Sequence, residues 1–339
     1  MTQVRQEIPY IHLIRVVACF MVVALHSINI SVNLTPGSMD AYFPRIIQLL
    51  TRPCVPLFFM ISGVLLLPYN KDNDLVTYYK KRLSRVVFPL ILWGGVYSIL
   101  PYLLGREVLS DVWRNLIMLP FTYPTEIGGI LWFLYIMIGI YLIIPFISSE
   151  AVTGRFVKVY IILWIISIFV GVIKCYEPHI MGVVPFRDYD SLLYFSGYLG
   201  YLFLGKFIHI NNLKSNIIVG LLVYLICGIS ISLFEDSSNS LLLNNFLSPQ
   251  AVIMSAVVFV IIKNYCNKIS EYNFVKKISS LSFGIYLSHM VVYSVLTSKL
   301  YTISTSPIMQ SIVIILTFIG AYLLSLAISK LSIKKYIIG

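Results

Sequence analysis

Long apolar runs separated by short polar intervals are the main pattern along the chain. Because about 20 mostly apolar residues suffice to cross the hydrocarbon of a bilayer, these runs predict membrane-spanning helices. We predict ten spans, at residues 10–30, 46–67, 86–104, 130–147, 157–174, 191–208, 216–234, 249–265, 279–299 and 308–329. In the second span, Pro53 and Pro56 favour a kink or a re-entrant segment, since proline interrupts the helical hydrogen bonds. The pattern indicates an all-α integral membrane protein.

The composition agrees with this interpretation. Hydrophobic residues occupy 58% of the 339 positions and charged residues only 12%, far from the balance of a soluble domain. The longest polar intervals still carry many aromatic and aliphatic residues. We therefore expect one membrane domain over residues 1–339 and no soluble extracytoplasmic domain. We also expect the first apolar run to stay in the protein, because no small-residue cleavage site follows it.

Basic residues are concentrated on one side of the predicted spans. If the N-terminus is cytoplasmic, 18 of the 25 basic residues but only 5 of the 14 acidic residues fall on the cytoplasmic side. Cytoplasmic loops of membrane proteins are rich in Lys and Arg, so we predict that both termini are cytoplasmic. The formal net charge of +11 then reflects membrane topology, and nucleic acid is not an expected partner.

The cysteines do not indicate a disulfide framework or a metal site. They are five in number, lie mostly inside apolar runs and include no Cys-x-x-Cys pair. We accordingly expect no metal cofactor.

Two ionisable residues, Arg15 and His26, lie inside the first predicted span. An ionisable side chain in hydrocarbon costs at least a few kcal/mol, so each of them needs a polar environment. Their spacing of 11 residues returns them to nearly the same face of a helix, roughly 16 Å apart along its axis. Histidine exchanges a proton near neutral pH, which makes His26 a candidate general base. The alternative is a histidine hydrogen-bonded between packed helices.

A basic cluster precedes the third predicted span. It contains Lys80, Lys81, Arg82 and Arg85. Such a cluster most often anchors the membrane topology by binding lipid headgroups. Arg82 and Arg85, however, are three residues apart and share a helix face, and guanidinium groups suit phosphate recognition. With Arg15, they are candidates for a cytoplasmic anion site.

The ninth predicted span contains a second histidine, His289, with Tyr286 three residues before it. This pair indicates a polar patch in the membrane interior, although an interhelical hydrogen bond explains it equally well. Trp132 begins the fourth span on the predicted outer side, where tryptophan is normally an interfacial anchor.

In this order, these motifs resemble the acyltransferase-3 family of bacterial membrane O-acyltransferases, and the match covers nearly the whole chain. The matching residues are Arg15 to His26, the run Pro56 to Gly63, Arg82 and Arg85 followed by Pro89, Leu131 to Leu134, and Gly284 to His289. The resemblance implies a multi-pass protein of the bacterial plasma membrane. It also implies acyl-CoA, most simply acetyl-CoA, as a donor co-substrate rather than a permanently bound cofactor, and a hydroxyl group of an extracytoplasmic or lipid-linked glycan as the acceptor.

The expected enzyme is therefore an O-acetyltransferase. His26 and His289 are the predicted catalytic residues, Arg15, Arg82 and Arg85 are predicted to bind acyl-CoA, and Trp132 and Tyr286 are predicted to contact substrate. Two routes are compatible with these roles: direct transfer of the acyl group to the acceptor, and transfer through an acyl-enzyme intermediate. Because some relatives carry an additional C-terminal domain, we expect this chain to act alone or to hand the acyl group to a partner. The alternative function is a transporter of a polysaccharide intermediate or a small polar solute, in which the buried His and Arg relay protons or bind the solute.

Overall fold

The structure, a computed structural model, describes residues 7–28, 39–69, 74–124, 127–147, 149–180, 197–233, 246–300 and 306–338. The regular elements within these ranges are all helical. In chain order they are α1 (Tyr10–His26), α2 (Met39–Leu50), α3 (Cys54–Leu66), α4 (Leu75–Leu103), α5 (Leu109–Met118), α6 (Trp132–Ile143), α7 (Ser149–Val152), α8 (Gly154–Ile180), α9 (Leu199–Ile210), α10 (Ile217–Leu233), α11 (Pro249–Tyr265), α12 (Asn267–Ser270), α13 (Asn273–Leu300), α14 (Pro307–Ser329) and α15 (Lys334–Ile337). Short 3-10 turns occupy Gly128–Leu131 and Ile144–Phe146.

Every predicted span overlaps a helix, and the helical fold class is confirmed. Within the described residues, five helical segments are long and apolar enough to cross a membrane: Tyr42–Leu66, Leu75–Leu103, Gly128–Phe146, Asn273–Ser298 and Pro307–Ser329. Four more helices are apolar but shorter: Tyr10–His26, Leu199–Ile210, Ile217–Ile231 and Pro249–Tyr265. The protein is thus a helical membrane protein, while the count of ten spans and the cytoplasmic termini stay predictions.

The interruption predicted in the second span is present. α2 ends at Leu50 and α3 begins at Cys54, immediately after Pro53. Thr51 in the connecting turn is buried, and its hydroxyl donates to the Ile47 carbonyl at 2.7 Å. The same carbonyl also accepts from the Thr51 backbone N–H at 3.0 Å, so two bonds from Thr51 hold the turn to the end of α2.

α4 begins earlier than predicted, at Leu75 instead of residue 86. The Asp74 carboxylate caps its first turn by accepting from the Thr77 backbone N–H at 2.8 Å, and this bond holds the pKa of Asp74 below its usual range. At 1.5 Å per residue, the 29 residues of α4 span about 43 Å, against about 30 Å of hydrocarbon. The basic cluster therefore lies within α4, and the helix is longer than the hydrocarbon is thick.

The chain forms two compact units. Unit 1 contains Met1–Leu25, Tyr42–Tyr69 and Ile147–Ser279, and unit 2 contains His26–Ala41, Asn70–Phe146 and Ser280–Gly339. In unit 1, α3 and α9 pack so closely that a Cβ atom on Gly63 would overlap the Leu202 backbone, and one on Gly205 would overlap the Met60 backbone. Small residues allow this backbone approach, which is a common basis of helix association in membranes.

In unit 2, aromatic side chains of α4 bind backbone carbonyls of other helices. The Trp93 indole N–H donates to the Ile337 carbonyl at 2.9 Å, and the Tyr97 hydroxyl donates to the Leu287 carbonyl at 2.5 Å. Both aromatic side chains are buried. A polar group of a buried aromatic residue usually finds such a partner, because an unmade hydrogen bond in an apolar interior is costly.

We expect Gly63→Ala and Gly205→Ala to destabilise the protein by about 1–3 kcal/mol each, because the added methyl group would push apart two helix backbones. Thermal unfolding of the purified protein in detergent measures the effect. Gly139→Ala on α6 is the control, since a Cβ there meets no atom within 4 Å. Equal unfolding midpoints for all three variants would contradict the close packing.

Candidate active site

α1 carries His26 as its last helical residue. The helix was predicted to continue to residue 30, but it ends at His26, and Ser27 and Ile28 follow in a non-helical conformation. Residues 29 and 30 lie outside the described part of the chain. His26 has intermediate exposure as a residue, and Ser27 is buried. The His26 ring thus lies largely enclosed by protein at the end of α1.

His289 is fully buried in α13, and its tautomer is determined by one contact. Its Nδ1 lies 2.6 Å from the Tyr286 backbone carbonyl, which can only accept, so Nδ1 carries the hydrogen. In the neutral ring, Nε2 then carries the lone pair. Nε2 is buried and has no hydrogen-bond partner among the described residues. The arrangement presents a basic nitrogen in an apolar interior.

The two histidines meet in unit 2. Their ring centroids are 5.5 Å apart, and the ring planes are inclined by 42°. The two residues are 263 positions apart in the sequence, so only the fold brings them together. The His26 imidazole thus lies beside a fully buried imidazole whose Nδ1 is bonded to the backbone.

Two tyrosines hold the helical turn that carries His289. The Tyr286 hydroxyl donates to the Ile130 carbonyl in the 3-10 turn before α6. The Tyr97 hydroxyl of α4 donates to the carbonyl of Leu287, the residue next to Tyr286. Both tyrosine side chains are buried. The turn is therefore held from two neighbouring segments, and Tyr97 is a residue beside this site that the sequence did not indicate.

A row of aromatic rings leads from Trp132 towards the histidines. The Trp132 and Phe133 rings are 6.4 Å apart, the Phe133 and Tyr286 rings 5.7 Å, and the Tyr286 and His289 rings 6.1 Å. Trp132 is partly exposed, whereas Tyr286 is buried with its hydroxyl bound to a carbonyl. Of the two residues predicted to contact substrate, Trp132 is thus the more exposed. Tyr286 contributes its ring to the aromatic row, and its hydroxyl group holds the turn that carries His289.

The three predicted acyl-CoA arginines fall in different units. Arg82 and Arg85 lie in unit 2 on one face of α4, where Arg82 is partly buried and Arg85 is exposed. Arg15 is partly buried in α1 and belongs to unit 1. Its grouping with the other two arginines stays a prediction.

The remaining described histidine side chains make structural contacts in unit 1. The Tyr10 hydroxyl lies 2.7 Å from His209 Nδ1, and His12 contacts Ser279 at 3.1 Å and Glu7 at 2.8 Å. Hydrogen bonds from Lys276 and His12 hold the pKa of Glu7 below its usual range. Among the described residues, no group of three or more His, Cys, Asp or Glu side chains is placed to hold a metal ion.

These features define a helical membrane protein with a buried imidazole pair. A family model described as an acyltransferase domain matches residues 8–328, nearly the whole chain. The chain belongs to the acyltransferase-3 family, as its motifs indicated, and this membership implies membrane acyltransferase activity. No curated protein and no solved structure matches the chain.

We expect Tyr97→Phe to lower the free energy of unfolding by about 1 kcal/mol, because it removes one buried hydrogen bond and little volume. It should also lower the rate of acyl transfer at saturating substrate more than it changes KM, since it loosens the turn that orients His289. The measurements are thermal unfolding and steady-state kinetics. Tyr102→Phe, at an exposed position of the same helix, is the control. If both variants behave alike, Tyr97 does not position His289.

Proposed function

We propose that the protein transfers an acyl group, most simply acetyl, from cytoplasmic acyl-CoA to a hydroxyl group of an extracytoplasmic or lipid-linked glycan. The observation that carries this proposal is the imidazole pair, in which the His26 ring lies beside His289, and the His289 Nε2 is buried without a hydrogen-bond partner among the described residues. Family membership supports the acyl-transfer chemistry. The predicted positive-inside topology supports the direction.

Acyl transfer to an alcohol requires a base, because a neutral hydroxyl group is a weak nucleophile. In the proposed step, His26 takes the proton of the acceptor hydroxyl as its oxygen attacks the thioester carbonyl carbon. The C–S bond then breaks, and the CoA thiolate leaves and receives the proton. An ester and free CoA result. The same proton transfer from the acceptor hydroxyl to His26 applies if the acyl group is first bound covalently to the enzyme.

His289 would assist as the orienting partner. Its Nε2 lies on a ring 5.5 Å from the His26 ring and is the nitrogen free of the Tyr286 bond. An unprotonated ring nitrogen close to a second imidazole stabilises the positive charge that this imidazole gains when it takes a proton. This assignment gives the fully buried histidine a role that needs no direct contact with the acceptor.

The substrates would be held at the two ends of unit 2. Arg82 and Arg85 offer two guanidinium groups on one face of α4 for the phosphate groups of CoA, and charge-assisted bonds of this kind are strong. Trp132 offers a partly exposed ring at the start of α6, against which the apolar face of a sugar can pack. The aromatic row connects this ring to the histidines.

We expect His26→Ala to lower the rate of acyl transfer by about 10²–10⁴-fold, the usual contribution of a general base. His289→Asn should also lower it while it retains an amide donor for the Tyr286 carbonyl, so its thermal stability should stay near that of the wild type. The assay follows release of CoA from acetyl-CoA in the presence of acceptor. A wild-type rate in His26→Ala would remove His26 from the mechanism.

We expect the double variant Arg82→Ala and Arg85→Ala to weaken CoA binding at least tenfold, as measured by titration of the purified protein. The control is Lys80→Ala, which removes a charge from the same part of α4 on the side opposite Arg82. Equal losses in the control and the double variant would indicate nonspecific electrostatics. Proton-coupled solute uptake by a protein that does not bind CoA would favour the transporter.

A further inference from the structure

The short helix α5 follows α4 after a sharp reversal of the chain. Gly105 has a φ of +70°, the left-handed conformation that glycine adopts without strain, and the Arg106 N–H donates to the Pro101 carbonyl at 2.9 Å. α5 then covers Leu109–Met118. In the sequence, α5 lies in a polar interval between two predicted spans, 86–104 and 130–147.

α5 has three distinct faces. One face packs against unit 2 through Val112, Asn115 and the following residue Leu119, which are all buried, and the Leu119 side chain fills the space beside Gly94 of α4. A second face exposes large apolar side chains. Leu109 is 53% exposed, Trp113 60% and Ile117 70%.

The third face of α5 is charged. Asp111 and Arg114 form an ion pair at 3.4 Å. At 100° per residue, both lie at least about 100° from Trp113, the centre of the apolar face. A helix that is apolar on one exposed side and charged on another is typical of segments that lie in the plane of a membrane interface.

The end of α4 next to α5 also exposes large apolar side chains. Ile99 and Leu103 are 43% and 70% exposed on a helix that is long and apolar enough to cross a membrane. Exposed aliphatic residues on such a helix face lipid. Because α5 begins only a few residues later and Leu119 packs against Gly94, α5 lies against the same end of α4, where its apolar face can meet lipid while its charged pair meets water.

We propose that α5 is an interfacial helix, which places Leu109, Trp113 and Ile117 among the acyl chains just below the lipid headgroups and Asp111 and Arg114 in water. The occupant of the apolar face is the lipid bilayer. The inference does not depend on the proposed function, but it bears on the site. The Tyr135 hydroxyl of α6 donates to the carbonyls of Leu119 and Thr122 at 2.5 and 2.9 Å, so the segment that follows α5 is bonded to the start of α6.

The test measures the depth of Trp113 in proteoliposomes of phosphatidylethanolamine and phosphatidylglycerol. The fluorescence of Trp113→Phe is subtracted from that of the wild type, which isolates one of the four tryptophans. We expect this difference signal to be quenched at least twofold more by lipids brominated near the carbonyl end of the chain than by lipids brominated near the methyl end. Aqueous iodide should quench it little. The buried Trp164, isolated in the same way, should respond to none of these quenchers.

Two further variants test the orientation of the helix, both in the Trp113→Phe background. Ile117→Trp should respond to shallow brominated lipids, as Trp113 does. Arg114→Trp, on the charged face, should respond to iodide instead. Quenching of all positions by iodide alone would overturn the proposal in favour of a water-exposed helix. Stronger quenching by deep bromines would place α5 inside the bilayer, and protection from every quencher would indicate a protein partner or a second copy. Each of these results contradicts the interfacial assignment.

Discussion

The hydrogen bond from His289 Nδ1 to the Tyr286 carbonyl is the interaction on which the proposed chemistry depends. A histidine can carry its proton on either nitrogen, and a backbone carbonyl removes this choice because it can only accept. The bond is made within one helical turn, so it needs no distant partner. Other parts of unit 2 stabilise that turn.

Two buried tyrosines stabilise the turn, and each does so through one hydrogen bond donated by its hydroxyl group. Tyr97 reaches the carbonyl of Leu287 from α4, and Tyr286 reaches the carbonyl of Ile130 in front of α6. Since the carbonyls of a helix have a second lone pair beyond the one used in the helical ladder, they accept these bonds without loss of helical structure. The site is thus built from backbone acceptors, which do not change with the residue type at positions 130 and 287.

The sequence predicted the helical class because each apolar run carries its own signal. It also marked His26 and His289, since ionisable residues are rare in apolar runs. It did not indicate that the two rings meet, because 263 residues separate them and no local pattern encodes the contact. Tyr97 was not predicted for a related reason. A tyrosine among apolar residues is common, and its partner here is a backbone carbonyl, which any residue type at position 287 would provide.

The limits of the helices were harder to predict than their existence. The start of α4 at Leu75 depends on one capping carboxylate, Asp74, and the run that follows it is too polar to be recognised by hydropathy. α5 was missed because its ten residues are too few for a span and its apolar side chains occupy only one face. Amphipathic patterns at this length are weak signals.

The position of Pro89 within α4 has a mechanical consequence. Proline has no N–H to donate, so the carbonyl of Arg85, four residues earlier, receives no helical bond from it, and helices bend most readily at such points. Pro89 therefore divides α4 into a segment that carries the arginines and a segment that carries Tyr97. A bend at Pro89 would change the direction of the arginine segment and leave the hydrogen bond from Tyr97 to the Leu287 carbonyl of α13 intact.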